Sequence, residues 1–91
     1  MKYILLGKLN TDWIAKKKRV DKAREKLSQL GITIEEIYYT QGAFDFVDVA
    51  TCDDPEAMMA FSVWYAAQGF GAITTMPAFS TDQFDNILSK L

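Results

Sequence analysis

A chain of 91 residues is the size of one domain, and a domain this small buries only about 60–65% of the surface that its unfolded chain exposes. Because 49% of the residues are hydrophobic and 13% are aromatic, we expect another subunit to cover part of the single domain formed by residues 1–91. The absence of histidine excludes Ser-His-Asp and Cys-His catalysis and histidine ligation of zinc or haem.

The net charge of −2 hides an asymmetry along the chain. Residues 1–31 carry nine Lys/Arg and three Asp/Glu, a balance of +6, whereas residues 32–91 carry one Lys/Arg and nine Asp/Glu, a balance of −8. We therefore expect association to depend on ionic strength, since salt screens exposed charges. The basic run at residues 16–19 has no interleaved aromatic residues, which favours a solvated helix face over a nucleic-acid site.

The sequence also predicts a cytoplasmic protein without a membrane partner. No apolar run approaches the ~20 residues of a membrane-spanning helix, and residues 1–6 are too short and too interrupted for a signal peptide. Cys52 is the single cysteine, so an internal disulfide is excluded. With no histidine to activate its thiol, Cys52 is better explained as a small buried hydrophobe.

The first part of the chain predicts a strand, a helix and a second strand. Lys2–Leu9 carries apolar residues on both faces, which is typical of a strand covered on both sides. Residues 17–30 repeat apolar residues at helical spacing, and Gly31 is a good C-terminal stop. Residues 32–40 then alternate as a strand, with a change of phase at Glu35 and Glu36 that predicts a bulge.

After a turn at residues 41–43, residues 44–52 predict a third strand, which we expect at the centre of the sheet. Asp54 followed by Pro55 is typical of a helix start, and this helix runs to about residue 68 with Tyr65 among its inward-facing residues. Residues 70–79 predict a fourth strand, and Pro77, which cannot donate to a ladder, favours either an edge strand or the end of a strand at this point. A capping box at residues 80–83 then begins a short amphipathic helix.

The predicted order is β-α-β-β-α-β followed by a C-terminal helix. This is the ferredoxin-like α+β pattern, a four-stranded antiparallel sheet with two helices on one face. The other face would carry too many apolar side chains to contact water. We expect a second subunit or the C-terminal helix to cover it.

Several landmarks of the chain resemble the GYD-domain proteins, which are named for a Gly-x-Tyr-Asp motif. These landmarks are Thr11-Asp12, residues 27–31, Gly42-Ala43-Phe44-Asp45, Asp53-Asp54-Pro55 and Ala78-Phe79. The resemblance implies a dimeric α/β barrel, in which two ferredoxin-like sheets of a homodimer pack face to face, and it leaves activity open. Phe44 stands where the family motif has tyrosine, so that phenolic hydroxyl is absent here.

Two carboxylates on the third strand are candidate functional groups. Asp45 lies among apolar residues, and the resulting desolvation could make it a general acid or base near neutral pH. We favour a structural role, in which Asp45 ties down the preceding turn or accepts hydrogen bonds from backbone N–H groups. Strand alternation places Asp48 on the opposite face, which excludes a paired-carboxylate site within one chain.

The candidate ligand-binding residues follow from the same alternation. We expect β-branched Val47 and Val49 to pack under the helices together with Asp45. The third-strand side chains of the other parity would then face the partner sheet and line a cavity, together with one tyrosine of the second strand. The candidate ligand-binding residues are Tyr38, Tyr39, Phe44, Phe46 and Asp48.

These residues favour a homodimer that binds a small organic ligand in an apolar cavity at the sheet face. One alternative is a cofactor-free enzyme that uses Asp45 and a tyrosine, and another is a purely structural or regulatory assembly module. No residue pattern predicts a cofactor. The acidic residues 53–56 are better explained as a solvated helix cap than as Mg²⁺ or Ca²⁺ ligands, so we expect no metal site.

Overall fold

Within residues 1–10 and 16–91, the part of the chain that the computed structural model describes, four strands and three helices follow the predicted order. Thr11 and Asp12, two of the family landmarks, lie outside the described residues. The elements are β1 (Lys2–Leu9), α1 (Lys16–Gln29), β2 (Thr33–Tyr39), β3 (Phe46–Thr51), α2 (Pro55–Ala67), β4 (Gly71–Ala78) and α3 (Thr81–Leu88).

The strands form one antiparallel sheet in the order β2-β3-β1-β4, which is the ferredoxin-like arrangement. The predictions of a central third strand and of an edge strand at Pro77 are confirmed. The bulge in β2 is also confirmed, because Ile34 pairs with Ala50 whereas Glu36 pairs with the adjacent Val49.

The ends of the helices are fixed by the local signals in the sequence. The Asp54 carboxylate accepts a hydrogen bond from the Glu56 N–H at 3.0 Å, and Pro55 begins α2. Ser80 and Gln83 exchange both hydrogen bonds of a capping box before α3. Gly31, with φ of 71°, provides the left-handed residue that ends α1.

The third strand is shorter than predicted, because residues 44 and 45 belong to the preceding loop. The Thr40 N–H donates to the Asp45 carbonyl at 2.9 Å, and the Asp45 N–H donates to the Gly7 carbonyl at 2.7 Å. These bonds hold the loop against the end of β1, and regular pairing of β3 begins only at Phe46.

The core lies between the sheet and the helices α1 and α2. Alternate residues of β1 and β3 are buried in it, and the intervening residues lie on the sheet face away from these helices, which we name the open face. The core residues are Tyr3, Leu5, Leu27, Ile32, Phe46, Ala50, Cys52, Ala57, Met58, Phe61 and Tyr65.

The predicted assignment of the β3 faces was wrong. Phe46 and Asp48 face the helices, and the ring of Phe46 meets the ring of Tyr65 in α2 edge to face, with the centroids 6.1 Å apart. Val47 and Val49 lie on the open face instead. Alternation groups the residues correctly but does not say which group faces the helices.

Gly7 explains why Phe46 lies on the helix side. The two residues are directly opposite each other on β1 and β3, and a Cβ on Gly7 would overlap the Phe46 ring. The ring therefore fills the space above a glycine and shields the backbone that this residue leaves uncovered.

The C-terminal helix does not cover the open face. In the described structure α3 buries none of its residues and makes no extended contact with another helix or strand. Its apolar residues Phe84 and Leu88 are 53% and 48% exposed.

We predict strong coupling between Gly7 and Phe46. Phe46→Ala should lower the free energy of unfolding by about 3–5 kcal/mol, because it empties a core position. Gly7→Ala should cost about 1–3 kcal/mol, because its methyl group displaces the ring. In the double variant the cost of Gly7→Ala should vanish, which urea unfolding of all four proteins would measure. Strictly additive costs would contradict the contact.

Candidate functional site

A cavity of about 720 Å³ lies between α1, α2 and the sheet, and we name it the α1 cavity. α2 lies close to β4, whereas the backbone of α1 approaches none of the described strands as closely, although Leu27 of α1 belongs to the core. The described side chains leave space between α1 and the sheet. The apolar wall of this space comes from five elements and includes Leu27, Ile34, Ile37, Phe46, Phe61 and Ile73.

Asp48 brings a carboxylate with one unpartnered oxygen to the wall of the α1 cavity. Its side chain comes from the middle of β3 and the residue is only 9% exposed. The Oδ1 atom is fully buried and finds no hydrogen-bond donor among the described residues. Burial raises the pKa of Asp48 from 3.8 to about 6, because the charged form loses hydration.

Arg19 and Tyr65 form a second polar group in the wall of the α1 cavity. Both residues are 4% exposed, and the Arg19 guanidinium hydrogen-bonds to the Tyr65 side chain. Burial raises the pKa of Tyr65 to about 12, and the charge of Asp48 adds to this effect whereas Arg19 opposes it. Tyr65 is therefore a neutral hydroxyl at physiological pH, with Asp48 near enough to influence it.

Three of the five predicted ligand-binding residues, Tyr39, Phe46 and Asp48, line the α1 cavity. Tyr38 pairs with Val47 and so lies on the open face, where its hydroxyl donates to the Glu36 Oε2 atom at 3.0 Å. Phe44 is half-buried in the loop before β3 and is not part of the described cavity wall.

Asp45, the weak catalytic candidate, also lies outside the described wall of the α1 cavity. Its Oδ2 atom accepts a hydrogen bond from the Leu9 N–H at 2.7 Å. This bond fastens the loop before β3 to the end of β1. The contact is the structural role that the sequence favoured for Asp45.

Arg19 is the residue that the sequence analysis missed. The basic run at residues 16–19 predicted a solvated face, but Arg19 is buried against the cavity. The sequence contains a pattern that indicates the burial of Arg19. Arg19, Ala23 and Leu27 are spaced by four residues and so share one face of α1. An arginine in line with apolar residues indicates a side chain directed inward.

Other kinds of site find no support in the described residues. No group of three or more Cys, Asp and Glu side chains there could hold a metal ion, and no described helix is long and apolar enough to cross a membrane. Cys52 is buried, and its thiol contacts the backbone of Asp54, accepting from the N–H at 3.4 Å. Cys52 is therefore a packed residue that also supports the start of α2.

The family model of the GYD domain matches residues 3–88. This chain belongs to the GYD domain family. No curated protein matches this chain. Among solved structures it is similar to the "De novo designed protein Ferredog-Diesel", with 16% identity, a TM-score of 0.52, and coverage of 84% of this chain and 83% of the other. That likeness shows the ferredoxin-like fold and nothing further.

We predict that Asp48 makes stability depend on pH. A pKa raised on folding means that the folded chain holds the proton more tightly, so the stability from this group is present below pH 4 and is lost as the pH rises through 6. A rise in pKa from 3.8 to about 6 corresponds to about 3 kcal/mol. At pH 7.5, Asp48→Asn should therefore be more stable than the wild type by about 1–3 kcal/mol.

Urea unfolding between pH 4 and pH 8 would measure the effect. The difference between the wild type and Asp48→Asn should grow with pH, and it isolates Asp48 because the other carboxylates contribute equally to both proteins. Asp53→Asn, on an exposed residue, is the matched control and should show no such growth. Parallel profiles for the wild type and Asp48→Asn would contradict the prediction.

Proposed function

We propose that this GYD-domain protein binds a small organic molecule in the α1 cavity. The observation that carries the proposal is Asp48, which lines an otherwise largely apolar cavity and whose buried Oδ1 atom has no hydrogen-bond donor among the described residues. A buried polar atom without a hydrogen bond is costly, and in folded proteins such atoms are few. A ligand that fills the cavity would supply the missing donor.

The size and lining of the cavity support this proposal. A volume of about 720 Å³ is within the range typical of small-molecule sites. Apolar walls with a few polar groups are also typical of such sites. The cavity lies on the helix side of the sheet, away from the open face.

A second candidate function is cofactor-free proton transfer in the same cavity. The favouring observation is Asp48, whose pKa of about 6 suits a group that exchanges a proton near neutral pH. Asp48 would then take the role that the sequence suggested for Asp45, with the neutral Tyr65 as the nearby tyrosine. Transfer of deuterium from heavy water into the bound molecule would distinguish catalysis from binding alone.

We also propose that the protein is a homodimer through the open face. Ile4, Leu6, Val47 and Val49 lie together at the centre of that face on the adjacent strands β1 and β3. These four side chains are half-buried, and a group of partly exposed apolar side chains at the centre of a sheet face is typical of a protein–protein interface. The proposal covers the assembly role that the sequence also suggested, and it is independent of the α1 cavity.

Filling the α1 cavity should abolish ligand binding. Ala23 lines the cavity, so Ala23→Phe should remove any small molecule that co-purifies with the wild type, as detected by untargeted mass spectrometry of the extracted protein. Ala66→Phe, the same change on an exposed residue of α2, should retain it. Ile34→Phe offers a second filled cavity if Ala23→Phe does not fold. Equal retention in all variants would contradict the proposal.

The dimer should resist salt, because its proposed interface is apolar. Light scattering of the wild type should give about twice the chain mass of 10.3 kDa at both low and high ionic strength. Val49→Lys should give the monomer mass, since it places a charge in the interface. Larger assemblies that depend on the charge asymmetry should disappear at high salt. A wild-type monomer at micromolar concentration would rule the dimer out.

A further inference from the structure

We propose that the molecule in the α1 cavity has an apolar body and a hydrogen-bond donor, a hydroxyl or an N–H, that pairs with the carboxylate of Asp48. This inference rests on the proposed function and specifies the class of its ligand. It follows from the position and the bonding of Asp48, Tyr65 and Arg19 in the cavity wall.

The carboxylate of Asp48 determines the polarity of the partner group. An ionised carboxylate accepts hydrogen bonds and donates none, so an acceptor such as an ether or a carbonyl oxygen cannot pair with it. The Oδ1 atom is buried without a donor from the described residues, and Asp48 itself is nine-tenths buried. A ligand with a hydroxyl or N–H at this point forms a charge-assisted hydrogen bond, which is stronger than one between neutral groups.

Arg19 and Tyr65 do not supply the missing bond. The guanidinium of Arg19 interacts with the side chain of Tyr65. The two form their own polar group within the wall. The complementary donor for Asp48 therefore comes from outside the described protein.

The remaining wall determines the body of the ligand. Ile34 and Ile37 from β2, Phe46 from β3 and Phe61 from α2 present apolar surface around Asp48. Burial of apolar surface contributes about 25 cal/mol per Å², so an apolar body gains more here than a polar one. The class is thus a ring or branched hydrocarbon with a single donor, such as a phenol, an alcohol or an indole.

Two probes of nearly equal shape test the inference. 1-Naphthol carries a hydroxyl group at the position where 1-methylnaphthalene carries a methyl group. The methyl compound is the more hydrophobic of the two. Isothermal titration calorimetry of the wild type at pH 7.5 should show at least tenfold tighter binding of 1-naphthol. In Asp48→Leu, which removes the acceptor and keeps the side-chain size, the preference should disappear or reverse. Asp48→Asn, uncharged but still an acceptor, should show an intermediate preference.

Lowering the pH provides a second readout. The charged and titratable groups that line the described cavity are Arg19 and Arg24 from α1, Glu35, Glu36 and Tyr39 from β2, Asp48 from β3, and Tyr65 from α2. Protonated Asp48 becomes a donor, whereas both probes stay neutral. The preference for 1-naphthol should therefore shrink at pH 5 in the wild type and stay constant in Asp48→Leu.

The outcomes separate the inference from the proposed function. Equal affinities of the two probes for the wild type would overturn the donor assignment and leave the cavity as a binding site. Tighter binding of 1-methylnaphthalene would do the same. If neither probe binds the wild type while both fit a cavity of about 720 Å³, the proposed function and the inference fail together. A preference that persists in Asp48→Leu would place the binding site elsewhere.

Discussion

The contact between Phe46 and Gly7 determines how this sheet meets its helices. A glycine on β1 leaves room for a phenylalanine ring on β3, and the ring then reaches Tyr65 of α2. Because strand residues alternate, one placement fixes the whole strand. With Phe46 on the helix side, Asp48 and Ala50 follow it, and the valines between them form the open face.

The same alternation places a carboxylate where a small protein would be expected to have a hydrophobic residue. Asp48 lies in the stripe of β3 that begins with Phe46, beneath a helix that does not close down on the sheet. An ionised group there loses hydration without gaining a described donor, which lowers stability in the free protein. Binding sites often carry such a cost, because the geometry that suits a ligand differs from the geometry that maximises stability.

The two carboxylates of this region have separate tasks. Asp45, in the loop segment Gly-Ala-Phe-Asp, joins the loop before β3 to the end of β1 through the Leu9 N–H. This bond holds the start of β3 in register, since Phe46 must meet Gly7 directly across the sheet. Asp45 therefore supports the cavity indirectly, by positioning the strand that carries Phe46 and Asp48.

The sequence by itself determined the order of the elements, the β2 bulge, the helix caps at Asp54 and Ser80 and the central position of the third strand. These features depend on neighbours in the chain or on apolar periodicity, which are visible without a fold. Only the tertiary structure decided which face of β3 meets the helices, since alternation is symmetric between the two faces. It also decided that Arg19 is buried and that α1 leaves a cavity above Asp48. Those outcomes depend on how far a helix stands from a sheet, and that distance is set by side chains brought together from five separate elements.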